Sequence, residues 1–394
     1  MLKGNLNLSS DLKRLGYVKM FVWLTRPSSN TSFEQLIVRY KDVVKEYRDR
    51  FGWKIDPSTG RELPGQGIGA FERHEGTNAG IQKADRWISR DVAAVRDAIA
   101  RDHFQLAQAL GFLRRETNTW GRFGFILASQ YVDSTGKPSF YDPAGFIKMC
   151  STEGKGLVAV LRRNEQLIFC AALLSSDIDG TAPILNCLEI ESSKSEVMET
   201  YFAEVADWYK YKGSLESNAY KRYSYVTEER RFDTKNKRKD KSEDLHREAQ
   251  VTPRLEFLSD LKLVEHTEDR YRLTSLGKNL KDRLVDGNEL PKLLDEKENN
   301  LEVFLSELYG SVFEQMSFET FKDNLYRISS LDRLAGTLLI SYEKLYLAIA
   351  AAALNLSLYL PFSSFDDYLR RMEEQKKVYV SRTVPTRRYV KILS

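Results

Sequence analysis

The sequence predicts an α+β protein, mostly helical, on three observations. Apolar residues recur at helical spacing along much of the chain, and short alternating runs follow several of those helices. Charged residues make up 29% against 42% hydrophobic, an ordinary globular balance that excludes disordered and collagen-like chains. At 394 residues the chain is too long for one small core and suits several modules.

Tyr17–Leu24 (YVKMFVWL) alternates enough to predict a strand, which Pro27, Ser28, Ser29 and Asn30 break. Ser32 can cap a following helix with Phe33, Leu36, Ile37, Tyr40, Val43, Val44 and Tyr47 at helical spacing. Residues 52–82 are rich in Gly and Pro and predict a long loop, after which a helical stretch runs from near Ala84 to about Leu113. A helix followed by a two-stranded hairpin then recurs three times. His103–Leu113 leads into RRETNTWGRFGFIL, read as strand, polar turn, strand. Thr252, with Pro253 at the first turn, caps a helix carrying Leu255, Phe257, Leu258, Leu261 and Leu263. A hairpin, VEHTEDRYRLT, follows with Glu268 and Asp269 at its tip, then a helix led by Ser275, Leu276 and Gly277. Finally, Ser363 or Ser364 caps FDDYLRRMEEQ, and KVYVSR, a turn through Thr383 to Pro385, and RRYVKIL complete the third copy.

Helix then hairpin is the second half of a winged helix, in which one helix enters the major groove and the hairpin wing lies along the backbone. The expected organisation is therefore tandem winged-helix modules. An N-terminal domain, 1–138, ends in one; 139–225 is a central connector, α/β or helical; 226–290 is a central winged helix; and 291–394 is a helical region ending in another. In the connector, Leu157–Leu161 and Leu167–Leu174 fit a hairpin or two short helices, and apolar runs do not choose between them. Ser195–Lys212 predicts an amphipathic helix with Val197, Tyr201, Val205 and Trp208 on its core face. Leu345–Phe362 is uncharged for 18 residues, the minimum for a membrane span, but its alanines, Asn355, Ser357 and Pro361 favour a buried helix, so no membrane partner is expected.

Several chemistries are excluded by spacing. Gly76–Lys83 has the wrong spacing for a phosphate-cradling loop, and Gly65, Gly67 and Gly69 lack the strand-to-helix setting of a dinucleotide site. His74, His103, His246 and His266 have no metal-ligand spacing. Cys150, Cys170 and Cys187 form no C-x-x-C pair, and with no apolar leader at the start they point to a reducing cytoplasm. One acidic group, Asp179, Glu189 and Glu191 with Lys194, has the composition of a Mg²⁺-dependent endonuclease site; otherwise no cofactor is expected. The alternative for that group is a polar turn and an acid-rich helix start.

The net charge of +4 hides an asymmetry. Residues 230–241 carry +5 and residues 376–394 carry +6, leaving −7 for the rest. A mildly acidic body with basic patches predicts an anionic polymer as partner. The candidate DNA contacts are Arg230, Arg231, Lys237, Arg238 and Lys239 in the first patch; Arg254 and Lys262 on the central helix; and Arg270 and Arg272 in its hairpin. Arg370, Arg371, Arg382, Arg387 and Arg388 are their counterparts in the third module, and Arg114, Arg115 and Arg122 those in the first. Tyr220–Tyr225 (YKRYSY) interleaves aromatic and basic residues and fits either backbone binding or packing.

Phe51-Gly52-Trp53, then Ala109 to Phe112 leading into a hairpin, then two further helix–hairpin modules, resemble the DNA-recognition region of type IIS restriction endonucleases of the FokI kind. The resemblance implies three winged-helix subdomains that recognise double-stranded DNA ahead of a separate nuclease. Here it implies the specificity component of a restriction or phage-defence system, with catalysis on a separate nuclease or ATPase subunit. The other readings are a metal-dependent nuclease and an adaptor whose winged helices contact protein.

Overall fold

A computed structural model describes residues 6, 8, 15–25, 32–39, 97–132, 161–238, 240–267, 270–286, 301–334, 339–381 and 388–393. The expected glycine-rich loop, the Phe51-Gly52-Trp53 segment, Leu157–Val160, Lys239, the hairpin tip at Glu268 and Asp269, and Arg382 and Arg387 lie outside them. The fold is α+β and mostly helical, with small sheets. The chain forms two compact units, each discontinuous in sequence: 1–13 with 170–304, and 14–169 with 305–394.

The first unit takes in most of α4 (Arg163–Cys187) and then β1 (Ser192–Ser193), α5 (Lys194–Leu215), α6 (Ala219–Lys237), α7 (Lys241–Asp260), β2 (Val264–Thr267), β3 (Arg270–Leu273) and α8 (Ser275–Lys281). Ser193 starts α5 through a capping box with Glu196, Asn218 accepts from the first amides of α6, and Thr274 accepts from the amide of Gly277 to start α8. Val197, Tyr201, Val205 and Trp208 are buried, as their spacing predicts. The hairpin pairs Val264 with Leu273 and Thr267 with Arg270, and β1 adds to the far side of β3, so the sheet order is β1-β3-β2.

The second unit contains α1 (Gly16–Leu24), α2 (Asp97–Ala109), α3 (Arg122–Ser129), most of α9 (Leu301–Gly310), β4 (Glu314–Gln315), α10 (Phe318–Leu334), β5 (Ile340–Ser341), α11 (Tyr342–Asn355), β6 (Leu358–Tyr359), α12 (Phe362–Glu374), β7 (Val378–Ser381) and β8 (Tyr389–Ile392). Ser341 both ends β5 and caps α11. β5 pairs with β8, which pairs with β7, giving the order β5-β8-β7. Of Leu345–Phe362, expected as one buried helix, Leu345–Leu354 is buried in α11, but that helix ends at Asn355 and the remainder forms an exposed turn, β6 and the start of α12. Among the described residues one helix, α4, is long and apolar enough to cross a membrane, and most of it is covered by the protein itself.

Five local expectations are corrected. Tyr17–Leu24 is the helix α1: Val18, Met20, Phe21, Val22 and Trp23 are all buried and Lys19 is buried in an ion pair with Glu165, so burial on all sides leaves no helical period to read. Tyr131 also donates to Glu165, and Trp120 Nε1 donates to the Val22 carbonyl at 2.7 Å. The first hairpin shrinks to one bridge, Leu113 to Trp120, and its second strand is α3. Gly124 decides this, because a Cβ there would overlap the Phe112 carbonyl, so glycine lets α3 sit directly on that loop. Thr252 caps nothing: α7 begins at Asp240, whose carboxylate accepts from Glu243 N at 2.9 Å, and runs through Pro253. Likewise α12 starts after Pro361 with no side-chain cap, ahead of Ser363 and Ser364. In the connector, Leu167–Leu174 belongs to α4, which kinks at Asp177.

Candidate nucleic-acid interface

The C-terminal hairpin is built by strict alternation. Val378, Val380 and Val390 point inward and are buried, while Tyr379, Tyr389 and Lys391 are exposed. Tyr379 lies opposite Lys391, and Ser381 opposite Tyr389. Exposed Lys376 and half-buried Lys377 precede β7. Among the described residues of this hairpin no carboxylate faces outward; the surface offers tyrosine hydroxyls and ammonium groups, which suit phosphate oxygens.

The preceding helix α12 is different. Arg370 and Arg371 are exposed on it, as expected, but Arg370 lies 3.4 Å from Asp366 and 3.5 Å from Asp367, and Arg371 sits over the Phe318 ring at 5.4 Å. Arg388, at the base of β8, covers the Tyr342 ring at 4.9 Å and comes within 3.9 Å of Asp366, which also receives the Tyr342 hydroxyl. Those contacts tie the base of the hairpin to α11 and α12. Lys377, Tyr379, Tyr389 and Lys391 were not singled out from sequence, although the alternation of KKVYVSR and RRYVKIL marks them as outward-facing.

In the first unit the expected contact Arg254 is in the core. Its side chain is fully buried (0% exposed), with Nε 2.8 Å and Nη2 2.6 Å from the two Asp177 oxygens. Nη1 donates to the carbonyl and side-chain oxygen of Gln250, both at 2.8 Å, and Nη2 to the Leu6 carbonyl at 2.9 Å. Leu6 N–H and Thr181 Oγ1 donate to the same carboxylate. Burial alone would lower the Arg254 pKa, but the Asp177 charge outweighs it and holds the guanidinium protonated. Arg254 therefore organises the core and is withdrawn as a DNA contact. Lys262, Arg270 and Arg272 are exposed: Arg270 donates to the Glu191 carbonyl, and Arg272 pairs with Glu265 at 2.7 Å.

The four expected nuclease residues are engaged separately. Asp179 is buried, receiving Lys212 Nζ at 2.7 Å and Trp208 Nε1 at 2.8 Å. Glu189 and Glu191 are exposed, and Lys194 pairs with Glu248 at 2.9 Å. Among the described residues no group of three or more His, Cys, Asp or Glu side chains is arranged to hold a metal. Burial pushes the Cys187 thiol up to about 12, which leaves it protonated and unreactive.

The first basic patch lies at the end of α6. Arg231 pairs with Glu228 at 3.1 Å, Lys237 with Asp233 at 2.6 Å, and Arg238 approaches Glu243 at 3.9 Å; all three cations are exposed, as is Arg230. Tyr220 and Tyr223 are exposed on the same helix. Arg114 and Arg115 are exposed in the loop after α2, and Arg122 is half-buried over the Phe123 ring. Compared with models of protein families, with curated proteins and with solved structures, the chain matches none.

Proposed function

We propose that this chain is a cytoplasmic double-stranded DNA-binding protein built on winged-helix modules, with the C-terminal module as its principal reader. What supports the reading is one topological observation. Apart from the short β6, the order α10–β5–α11–β6–α12–β7–β8, with sheet order β5-β8-β7, matches what a winged helix would have, and β1–α5–α6–α7–β2–β3 repeats the strand order as β1-β3-β2. In both, a two-residue strand ends on the serine that caps the next helix. In this reading the β7–β8 hairpin lies on the phosphate backbone through Tyr379, Tyr389, Lys377 and Lys391, and α12 faces the groove with Arg370 and Arg371. The chain would serve as the recognition component of a restriction or phage-defence system, with any cleavage on a partner nuclease or ATPase subunit.

A protein-contact reading is favoured by one specific feature: α12 carries four carboxylates against two guanidinium groups. A helix of that sign gains little in a DNA groove, so affinity must come mainly from the hairpin. Fluorescence anisotropy with a labelled random duplex separates the two. Two or three phosphates neutralised give a slope of log affinity against log salt of about −2 to −3. Replacing Lys377 and Lys391 with Glu should abolish most binding and flatten that slope; unchanged binding in the double variant would leave the hairpin without a DNA role.

A further inference from the structure

Where α6 ends and α7 begins, four basic side chains converge on two aromatic rings. Lys235 Nζ lies 2.8 Å from His246 Nε2, and 5.6 and 5.7 Å from the ring centres of Phe202 and Phe232. Arg247 sits over Phe202 at 4.9 Å, Arg231 over Phe232 at 5.7 Å, and the His246 ring lies 5.7 Å from Phe202. Arg247 is only 6% exposed; its Nη2 reaches the carbonyls of Lys235, Asn236 and Arg238 at 3.3 to 3.4 Å, and its Nε has no hydrogen-bond partner. Of the carboxylates nearby, Glu228 pairs with Arg231 itself at 3.1 Å, and Glu243 reaches Arg238 at 3.9 Å through one oxygen while its other, buried oxygen has no hydrogen-bond partner.

An ammonium can only donate, so the Lys235–His246 contact requires an unprotonated Nε2. Burial first, then the Lys235 charge, hold the His246 pKa below its usual value, with Arg231 and Arg254 adding to the effect and Glu243 opposing it. Burial and then Arg231 hold Lys235 below its own usual value, with Arg238 adding and Glu243 and Glu228 opposing. Arg231 has Glu228 as its counter-ion, but Lys235 and Arg247, packed on aromatic faces with a buried guanidinium nitrogen left over, have no carboxylate within ion-pair distance among the described residues and so lack one. An oxyanion would supply it and would let His246 take up a proton and become a second donor.

We infer that the α6–α7 corner is a binding site for a tetrahedral oxyanion of the phosphate class, held by Arg231, Lys235 and His246 with Arg247 behind them. Arg231 and Lys235 belong to the +5 segment 230–241, and His246 and Arg247 follow it on α7. The DNA backbone as the source of that phosphate rests on the reading proposed above; the site itself does not.

The test uses the full chain with labelled histidine rings, His246 being assigned through His246→Asn. The His246 signal is followed against pH alone, with sulfate, with inorganic phosphate, and with a short duplex. Sulfate keeps its charge across the range, so any pH dependence belongs to the protein. The His246 midpoint is expected to rise with sulfate, and sulfate affinity to increase up to tenfold per pH unit as pH falls through the protonation range. Arg231→Gln and Lys235→Gln should each weaken sulfate at least fivefold, while His246→Asn should leave weak binding that no longer varies with pH. A response to duplex as well identifies the backbone as a source, and a response to sulfate and phosphate alone identifies free oxyanions; either supports the site. A His246 signal unmoved by all three ligands, or an identical response in Arg231→Gln and Lys235→Gln, overturns it. Glu variants of Lys377 and Lys391 should leave the sulfate response intact, so failure of the hairpin reading is seen separately.

Discussion

Replacing Arg254 with Met tests whether this residue holds the core or meets a ligand. Methionine keeps much of the side chain's length but leaves the Asp177 carboxylate buried without its cation, and strips hydrogen bonds from Gln250 and the Leu6 carbonyl. Breaking one side of a buried ion pair costs about 3–5 kcal/mol. For a unit of this size, about 2–4 °C of melting temperature accompanies each kcal/mol, so a loss of roughly 6–20 °C is expected. The assay is thermal unfolding followed by circular dichroism, with urea titration alongside and duplex binding measured well below the transition. The double variant Arg254→Met with Asp177→Leu should recover much of the loss, because no charge is then left buried. If Arg254→Met instead melts like the parent protein and lowers the salt slope of duplex binding by about one, the residue contacts phosphate and the buried network described here is wrong.

Gly180→Ala should destabilise the same network by about 1–3 kcal/mol in urea titration, since a Cβ there would overlap the Arg254 guanidinium. Asp179→Ala should cost about 3–5 kcal/mol by stranding Lys212, and plasmid incubated with Mg²⁺ should remain intact with either protein; cleavage lost only in the variant would restore the nuclease reading. Because the folded His246 pKa lies below its unfolded value, the unfolded chain binds the extra proton, so this group's stabilising contribution is present above about pH 6.5 and is lost as pH falls through the folded pKa. Melting curves in sulfate-free buffer should show that loss, and His246→Asn should reduce it.

Much of the local structure was legible because its causes lie within a few residues. The 264–273 hairpin follows from its alternation, α5 from its apolar face, and the burial of α11 from its uncharged run. The errors have equally local causes. Thr252-Pro253 carries every mark of a helix start, yet Lys241–Val251 is already helical, so Pro253 sits inside α7, where it gives up one backbone hydrogen bond that the surrounding burial offsets. Tyr17–Leu24 showed no helical period because all its sides are covered. Of the candidate contacts, the exposed arginines of α12 and the α6 end are readable as charge in polar surroundings, whereas Lys235 reads only as one charge in the 230–241 segment and His246 only as a histidine without metal-ligand spacing, since neither falls in a motif.

Short-range chemistry determined the alternation of the two formed hairpins and the two basic segments, since each depends on neighbours along the chain; of the expected helix caps it identified Ser32 but not the starts of α7 and α12. The fate of the charges was decided by residues far away in sequence. Arg254 is taken out of solvent by Asp177, 77 residues earlier, and by Leu6, 248 residues earlier. The two-residue strands β1 and β5 exist only because β3 and β8 present free edges to them, so the strand order that suggests a winged helix is invisible to any window of local pattern. A guanidinium looks the same in the sequence whether it meets water, phosphate or a buried carboxylate; the desolvation that separates those cases is a property of the folded surroundings.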